Sequence, residues 1–457
     1  MFTISAKQSG KWIGWRQVAK WASAQRGPHV LNRSLASLPT CSRWLLVLLI
    51  ILSGCGGPPS RVRVGPVSPN RIPTIRVGIL TEQQQVKITG TGRFQVLDQE
   101  SGEIVGKSPR GRIWALAPSG AWIEPTTPEG QSQGLYTGPI LVKSSERGGR
   151  IWVSGREYRG IIELRTNGKG MLTVVNELDI ENYLRGVVPV EIGRLKPSQI
   201  DAVKAQAIAA RTYALAHQGR RAALGFDIYG TVNDQVYRGH SVESSVADQA
   251  IAATHGMIAT YKGKMIDTFY SSTCGGSTDN IHEGWKSSPV PYLSSVKDKG
   301  RGLGDFCHAS PWYRWDARWD RAALEEILAS SLPASARRQD GKIELQDIRI
   351  RKRSTSGRVH LLEIKTNQGK AEFRGDAIRS ILRRPTQGNP ALRSTLFNLK
   401  VQRDGKGRPK SIVIEGAGFG HGIGLCQTGA IGMADRGYRF DQILKHYYRG
   451  INLRRAY

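Results

Sequence analysis

The run Asp201-Ala-Val-Lys-Ala-Gln-Ala-Ile-Ala-Ala-Arg-Thr-Tyr-Ala-Leu-Ala216 constrains this chain more than any other stretch. It is rich in strong helix formers, and Pro197 just ahead of it suits a first helical turn. At about 100° per residue, Ile200, Val203, Ala207, Ile208, Ala214 and Leu215 fall on one stripe, and the other faces are mostly alanine. A helix that is apolar nearly all round is a buried helix, so the rest of the fold must wrap it. Lys204 and Arg211 are seven residues apart and fall on the apolar face. Gln206 and Tyr213, also seven apart, share the opposite one. Buried charge costs several kcal/mol unless it is paired or used. Either these cations meet local carboxylates, or the helix forms one wall of a substrate cleft.

Around this helix the pattern is mixed. Short apolar runs separated by glycine turns, such as Ile75–Leu80, Gln85–Thr89, Arg150–Ser154 and Gly160–Leu164, predict a β-rich N-terminal part over 75–170. Over 171–457 strands and helices interleave, with helices expected at 242–255, 320–331, 375–382, up to 435 and near 440–448. Gly256 is placed to end the first of these. The fold class is therefore α+β, with mixed strands and helices around a substrate cleft. Trp312-Tyr-Arg-Trp-Asp-Ala-Arg-Trp319 alternates aromatic and polar residues. That alternation reads as one face of a buried strand rather than a sugar-stacking platform.

The N-terminus sets the compartment. Residues 44–52, Trp-Leu-Leu-Val-Leu-Leu-Ile-Ile-Leu, are shorter than the about 20 apolar residues a membrane span needs. Basic residues and no acidic ones precede them, which suits a signal peptide. Leu52-Ser-Gly-Cys55 resembles the lipobox of bacterial lipoproteins, so residues 1–55 are expected to be a signal peptide with lipidation at Cys55. Residues 56–74 read as a flexible Gly/Pro/Ser/Arg tether. The chain would then be exported and lipid-anchored to a membrane. A net charge of +29 favours polyanionic partners. Export, and the lack of any helix-turn-helix, zinc-finger or aromatic-basic signature, argue against nucleic acid.

Glu191 sits among Val187, Val188, Val190 and Ile192. Its expected place is after a strand and Pro189, ahead of the buried helix. A carboxyl in apolar surroundings stays protonated to higher pH, as a general acid requires. Four stretches then point the same way. They are Asn176-Glu-Leu-Asp-Ile-Glu-Asn-Tyr-Leu-Arg-Gly-Val-Val-Pro-Val-Glu191, Ala205-Gln-Ala-Ile-Ala-Ala-Arg-Thr-Tyr213, Phe269-Tyr-Ser-Ser-Thr-Cys-Gly-Gly276 and Gly420-His-Gly-Ile-Gly-Leu-Cys-Gln-Thr-Gly-Ala430. In this order they resemble the motifs of the SpoIID/LytB family, named for stage II sporulation protein D and an amidase enhancer.

The resemblance implies a peptidoglycan lytic transglycosylase that cleaves MurNAc–GlcNAc bonds in peptide-stripped glycan. Glu191 would be its catalytic acid, and Lys204, Gln206 and Arg211 would match polar residues of the family's helix. Hydrolytic glycosidases need two carboxylates. A lytic transglycosylase uses the sugar's own C6 hydroxyl and leaves a 1,6-anhydro end, so one glutamate suffices. The alternative is a non-catalytic enhancer of a cell-wall amidase, which would then be a partner. The substrate-binding set expected is Lys204, Gln206, Arg211, Tyr213, Ser271, Ser272, His421 and Gln427. Asp179 and Glu181, the rival acids, sit at a strand-to-helix junction and read as caps.

Cys274 and Cys307 leave three readings open: a disulfide, a zinc site or free thiols. Zinc enters because some sporulation relatives are zinc-dependent, with His282, His308 or His421 as a third ligand. The spacing fits no standard zinc pattern, and no cofactor is expected. The alternating glycines of 416–424 do not match a phosphate loop. They suit close backbone approach to a ligand or another strand.

Overall fold

The computed structural model describes residues 71–285, 287–300, 302, 304–337 and 341–457. The expected signal peptide with Cys55, and residues 56–70 of the tether, lie outside the described residues. The alanine-rich run forms a helix over Ile200–Ala216, and 13 of its 17 residues are buried. Short side chains let neighbours come close on every side. Helices Ser245–Ala253, Gln427–Ala434 and Phe440–Tyr447 and the strand Met257–Tyr261 all pack on it. No described helix is long and apolar enough to cross a membrane.

Two sheets flank this hub. One has seven strands in the order Ile228–Tyr229, Thr74–Gln83, Leu172–Asp179, Ile161–Thr166, Ile140–Ser144, Phe94–Asp98, Ile104–Ser108. The other has five, in the order Trp122–Thr126, Trp114–Ser119, Val86–Gly90, Ile151–Val153, Arg156–Tyr158. Strand Leu172–Asp179 lies within the first sheet, pairing antiparallel with both Thr74–Gln83 and Ile161–Thr166. Its residues 172–176 are all buried, as a strand covered on both faces should be. One core joins the sheets to the helices: Val77, Ile88, Leu116 and Val174 belong to the same cluster as Leu184, Ala205, Ile208 and Leu444.

A second core belongs to a lobe over residues 315–414, built on Trp319, Leu328, Leu345, Leu362 and Ile412. Here strand Trp315–Asp320 pairs with Pro409–Gly416, which pairs in turn with Phe397–Arg403. Trp315, Ala317 and Trp319 point inward while Asp316, Arg318 and Asp320 point out. The aromatic alternation thus marks a buried strand, as expected. The Asp320 side chain then caps helix Arg321–Ser331 by accepting from the Ala323 N–H at 2.7 Å.

The architecture is α+β with a β-rich N-terminal part, as the sequence implies. Glu191 is reached differently, however. No strand immediately precedes it. Asp179 ends strand Leu172–Asp179 and caps helix Ile180–Arg185 through the Asn182 N–H at 2.9 Å. A one-turn helix, Val188–Glu191, follows, with Pro189 in its first turn. Proline lacks the N–H that a first turn leaves unpaired, so it starts this helix rather than breaking one.

Candidate functional site

Glu191 ends that one-turn helix with its carboxyl enclosed by packed atoms and part of its surface still open. Three neutral donors meet the carboxyl. The Val236 N–H reaches Oε1 at 2.7 Å, and the Gln427 amide and Tyr270 hydroxyl donate as well. Burial pushes its pKa up to about 7, against the pull of those donors and the more distant charge of Arg238. The group is thus poised to hold a proton at neutral pH and to release it into a site already lined with donors.

Behind the donors stands a second layer. Tyr183 Oη donates to Gln235 Oε1 at 3.0 Å, and Gln235 Nε2 donates to Tyr270 Oη at 3.0 Å. Gln235 is fully buried and also donates to the Ala210 carbonyl. These bonds align the Tyr270 hydroxyl toward Glu191 and polarise it in one direction. Gln427 is set by Gln206, whose Oε1 accepts from Gln427 Nε2 at 3.4 Å. Gln206 Nε2 has no partner among the described residues.

The other expected site residues divide. Gln427 reaches Glu191 and Gln206 stands behind it; Lys204 and Arg211 hold other partners. Arg211 is fully buried in a two-pronged ion pair with Glu181, at 2.8 and 2.7 Å, and donates to the Met257 carbonyl. Burial pushes the Glu181 carboxyl up, but the Arg211 bonds and charge, with Tyr457 and the Gly256 N–H, hold it below the usual range. Glu181 is therefore the half-buried partner of Arg211, not a cap, whereas Asp179 is one. Lys204 lies 3.7 Å from Asp201 and over the Phe440 ring. Tyr213 donates to Asp234 and stacks on His217.

Ser271 Oγ accepts from the Gly422 N–H at 3.2 Å, and Ser272 contacts Thr273. His421 Nδ1 accepts from the Ile423 N–H at 3.0 Å, and burial lowers its pKa to about 4. It is a neutral imidazole beside Trp285. Gly424, at φ +74°, brings its backbone so near the Phe269 carbonyl that a Cβ would sit 2.1 Å from that oxygen. This closeness serves the pairing of Tyr270 with Leu425 and of Ser271 with Cys426, which holds together the two segments that carry Tyr270 and Gln427.

The disulfide reading of Cys274 and Cys307 requires correction. Their Sγ atoms are 3.7 Å apart, well beyond the roughly 2.05 Å of a bonded pair, and all three described cysteines are free. Cys426 and Asp298 complete this cluster, while His282, His308 and His421 stand outside it.

Sequence reasoning missed Tyr270, Gln235, Val236 and Asp298. Tyr270 lay inside a quoted motif, whereas Gln235 and Val236 sit in a loop with no pattern. A cavity of about 1190 Å³ lined by Arg165, Lys169, Phe226 and Tyr229 does not include Glu191.

Comparison with known proteins adds to this geometry. Residues 168–261 match the family model described as Stage II sporulation protein, and residues 304–424 match a domain of unknown function. An uncharacterized protein of Brachyspira hyodysenteriae is 35% identical over 323 residues, covering 70% of this chain and 77% of that protein. Stage II sporulation protein D of Bacillus amyloliquefaciens is 32% identical over 304 residues, covering 62% of this chain and 76% of the relative. The amidase enhancer of Bacillus subtilis is 29% identical over 343 residues, 66% of this chain but only 45% of that longer protein.

Proposed function

Because the chain belongs to the stage II sporulation protein D family, we propose that it is an exported peptidoglycan lytic transglycosylase with Glu191 as its acid and then its base. The observation that carries this reading is the enclosed carboxyl of Glu191, with a pKa of about 7 and three neutral donors, on a residue that keeps part of its surface open. In the first step the protonated Glu191 gives its proton to the glycosidic oxygen, and the bond from that oxygen to the MurNAc anomeric carbon breaks. The Val236 N–H, Gln427 and Tyr270 then stabilise the carboxylate left behind. In the second step the C6 hydroxyl of the same sugar bonds to the anomeric carbon, and Glu191 takes the hydroxyl proton. The product is a 1,6-anhydro end and the acid is restored.

Economy of carboxylates supports the intramolecular route over hydrolysis, which needs a second carboxylate near the first. Asp179 and Glu181 are committed to a cap and to Arg211. Asp234 is tied to Arg221, Tyr213 and the Tyr229 N–H. Export and anchoring rest on residues 44–52 and Cys55. A Cys55→Ser chain that still takes up labelled fatty acid would remove that part.

The amidase enhancer relative favours a second reading, in which the chain binds wall glycan and stimulates a partner amidase. One experiment separates the two. The purified chain is incubated with glycan strands freed of stem peptides, and the products are analysed by mass spectrometry. 1,6-Anhydro ends from wild type, lost in Glu191→Gln, are the expected result. No such ends from wild type would overturn the enzymatic reading, and full activity in Glu191→Gln would overturn the role of Glu191.

A further inference from the structure

Three cysteines far apart in sequence converge at one buried point. Cys274 follows the strand Tyr270–Ser271, Cys307 lies in the turn Phe306–Ala309, and Cys426 caps the helix Gln427–Ala434. Asp298 joins them. One ligand atom from each of the four lies within 4.8 Å of the others, and all four residues are buried. A thiol is easily buried, but a carboxylate is costly to bring out of water unless something answers its charge, and here one stands among three thiols. We propose that Cys274, Asp298, Cys307 and Cys426 form a structural site for a tetrahedral divalent metal ion, zinc above the others.

The dimensions fit. Zinc–thiolate bonds of about 2.3 Å at tetrahedral angles place two sulfurs about 3.8 Å apart. Cys274 Sγ and Cys307 Sγ are 3.7 Å apart, too far for a disulfide and close to that edge. The surroundings fit as well. The N–H groups of Cys274 and Gly429 point at Cys426 Sγ at 3.1 and 3.3 Å, the usual support for a thiolate ligand. Asp298 is held by the Cys307 N–H at 3.0 Å and by Tyr447 Oη, which fixes its carboxylate while leaving a lone pair free. Arg358 is fully buried, donates to the Cys274 carbonyl at 2.7 Å, and leaves Nε and Nη1 without partners among the described residues. Three thiolates and a carboxylate around a dication carry net negative charge, and this guanidinium stands where it offsets part of it. Three sulfur ligands favour zinc over magnesium or calcium, and the site is closed on all sides, which marks a structural rather than a catalytic ion.

The placement gives the ion a task. Ser271 pairs with Cys426 and Tyr270 with Leu425 in the same two-residue ladder, and Gln427 directly follows Cys426. The ion would clamp the two segments that carry the Tyr270 and Gln427 donors to Glu191. It touches no reacting atom and acts by positioning.

The test uses the full chain purified without chelator. Elemental analysis should find about one zinc per chain, as four protein ligands imply. Alkylation mapped by mass spectrometry should show Cys274, Cys307 and Cys426 protected together, then modified together after a strong chelator removes the metal. Cobalt exchanged into the site should give thiolate-to-metal charge-transfer absorption. Cys426→Ser and Asp298→Asn should bind zinc more weakly; if either fails to fold, the wild-type measurements still decide. A metal-free chain whose Cys274 and Cys307 are disulfide-bonded would overturn the proposal. So would a chain with three thiols that alkylate independently of chelator. Absence of transglycosylase activity in a zinc-loaded chain would count against the function and leave the site standing.

Discussion

Replacing Glu191 with glutamine should make this protein more stable and less active, by amounts that depend on pH. In the folded chain the Glu191 pKa is raised to about 7, whereas in an unfolded chain it sits near its ordinary 4.5. Below about pH 4 both states hold the proton, and the group adds no pH dependence. As pH rises from about 4.5 to 7 the unfolded chain ionises while the folded chain keeps its proton, so stability falls. Above about pH 7 the folded group must ionise in its enclosed site, and the full cost is present. At about 1.36 kcal/mol per pH unit of pKa difference, that cost is about 3 kcal/mol. Glutamine cannot ionise. In urea titrations Glu191→Gln should match wild type near about pH 4.5 and exceed it by up to about 3 kcal/mol near about pH 8. Its turnover on peptide-stripped glycan should fall about 10²- to 10⁴-fold. A stability difference that stays flat across this pH range would refute the argument from burial. So would a Glu191→Gln chain that is less stable than wild type at about pH 8.

Three other changes probe the surroundings. Tyr270→Phe removes a donor to the Glu191 carboxylate, so the basic limb of the pH–rate profile should move up by roughly one unit, with turnover reduced several-fold. Arg211→Met leaves the largely enclosed Glu181 without its partner and should cost about 3 kcal/mol in denaturant titrations, while the pH–rate profile of the surviving folded chain keeps its shape. Gly424→Ala combines a left-handed φ of +74° with a Cβ pressed 2.1 Å from the Phe269 carbonyl. It should lower stability by about 2 kcal/mol or more, and wild-type stability by the same titration would show that the strand pairing tolerates a side chain there.

What could be read from the sequence followed local regularity. The alanine-rich helix announced itself because its pattern is periodic and its end signals are local. The Trp315–Trp319 alternation gave a buried strand for the same reason. The strands Phe94–Asp98, Trp114–Ser119, Trp122–Thr126 and Ile140–Ser144 were not singled out, because five- and six-residue runs broken by glycine and proline carry little periodicity. At the site, Glu191 and Gln427 stood in recognisable motifs, but their neighbours came from pairing over long distances. The Val236 N–H reaches Glu191 across 45 residues, and Asp298 reaches the cysteines from a loop. Helical geometry put Arg211 on a buried face, yet it could not say which carboxylate answers it; Glu181, 30 residues away, does.

The lobe over 315–414 enters and leaves the body at one place. Its first strand and its last but for one short turn lie side by side, with Trp315 paired directly to Gly416. The lobe carries its own apolar core, yet between those two points it also reaches back into the body, through Arg358 to the Cys274 carbonyl and through Thr355 to Glu283. A change in the lobe that shifts Arg358 would therefore also disturb the segment that carries Cys274.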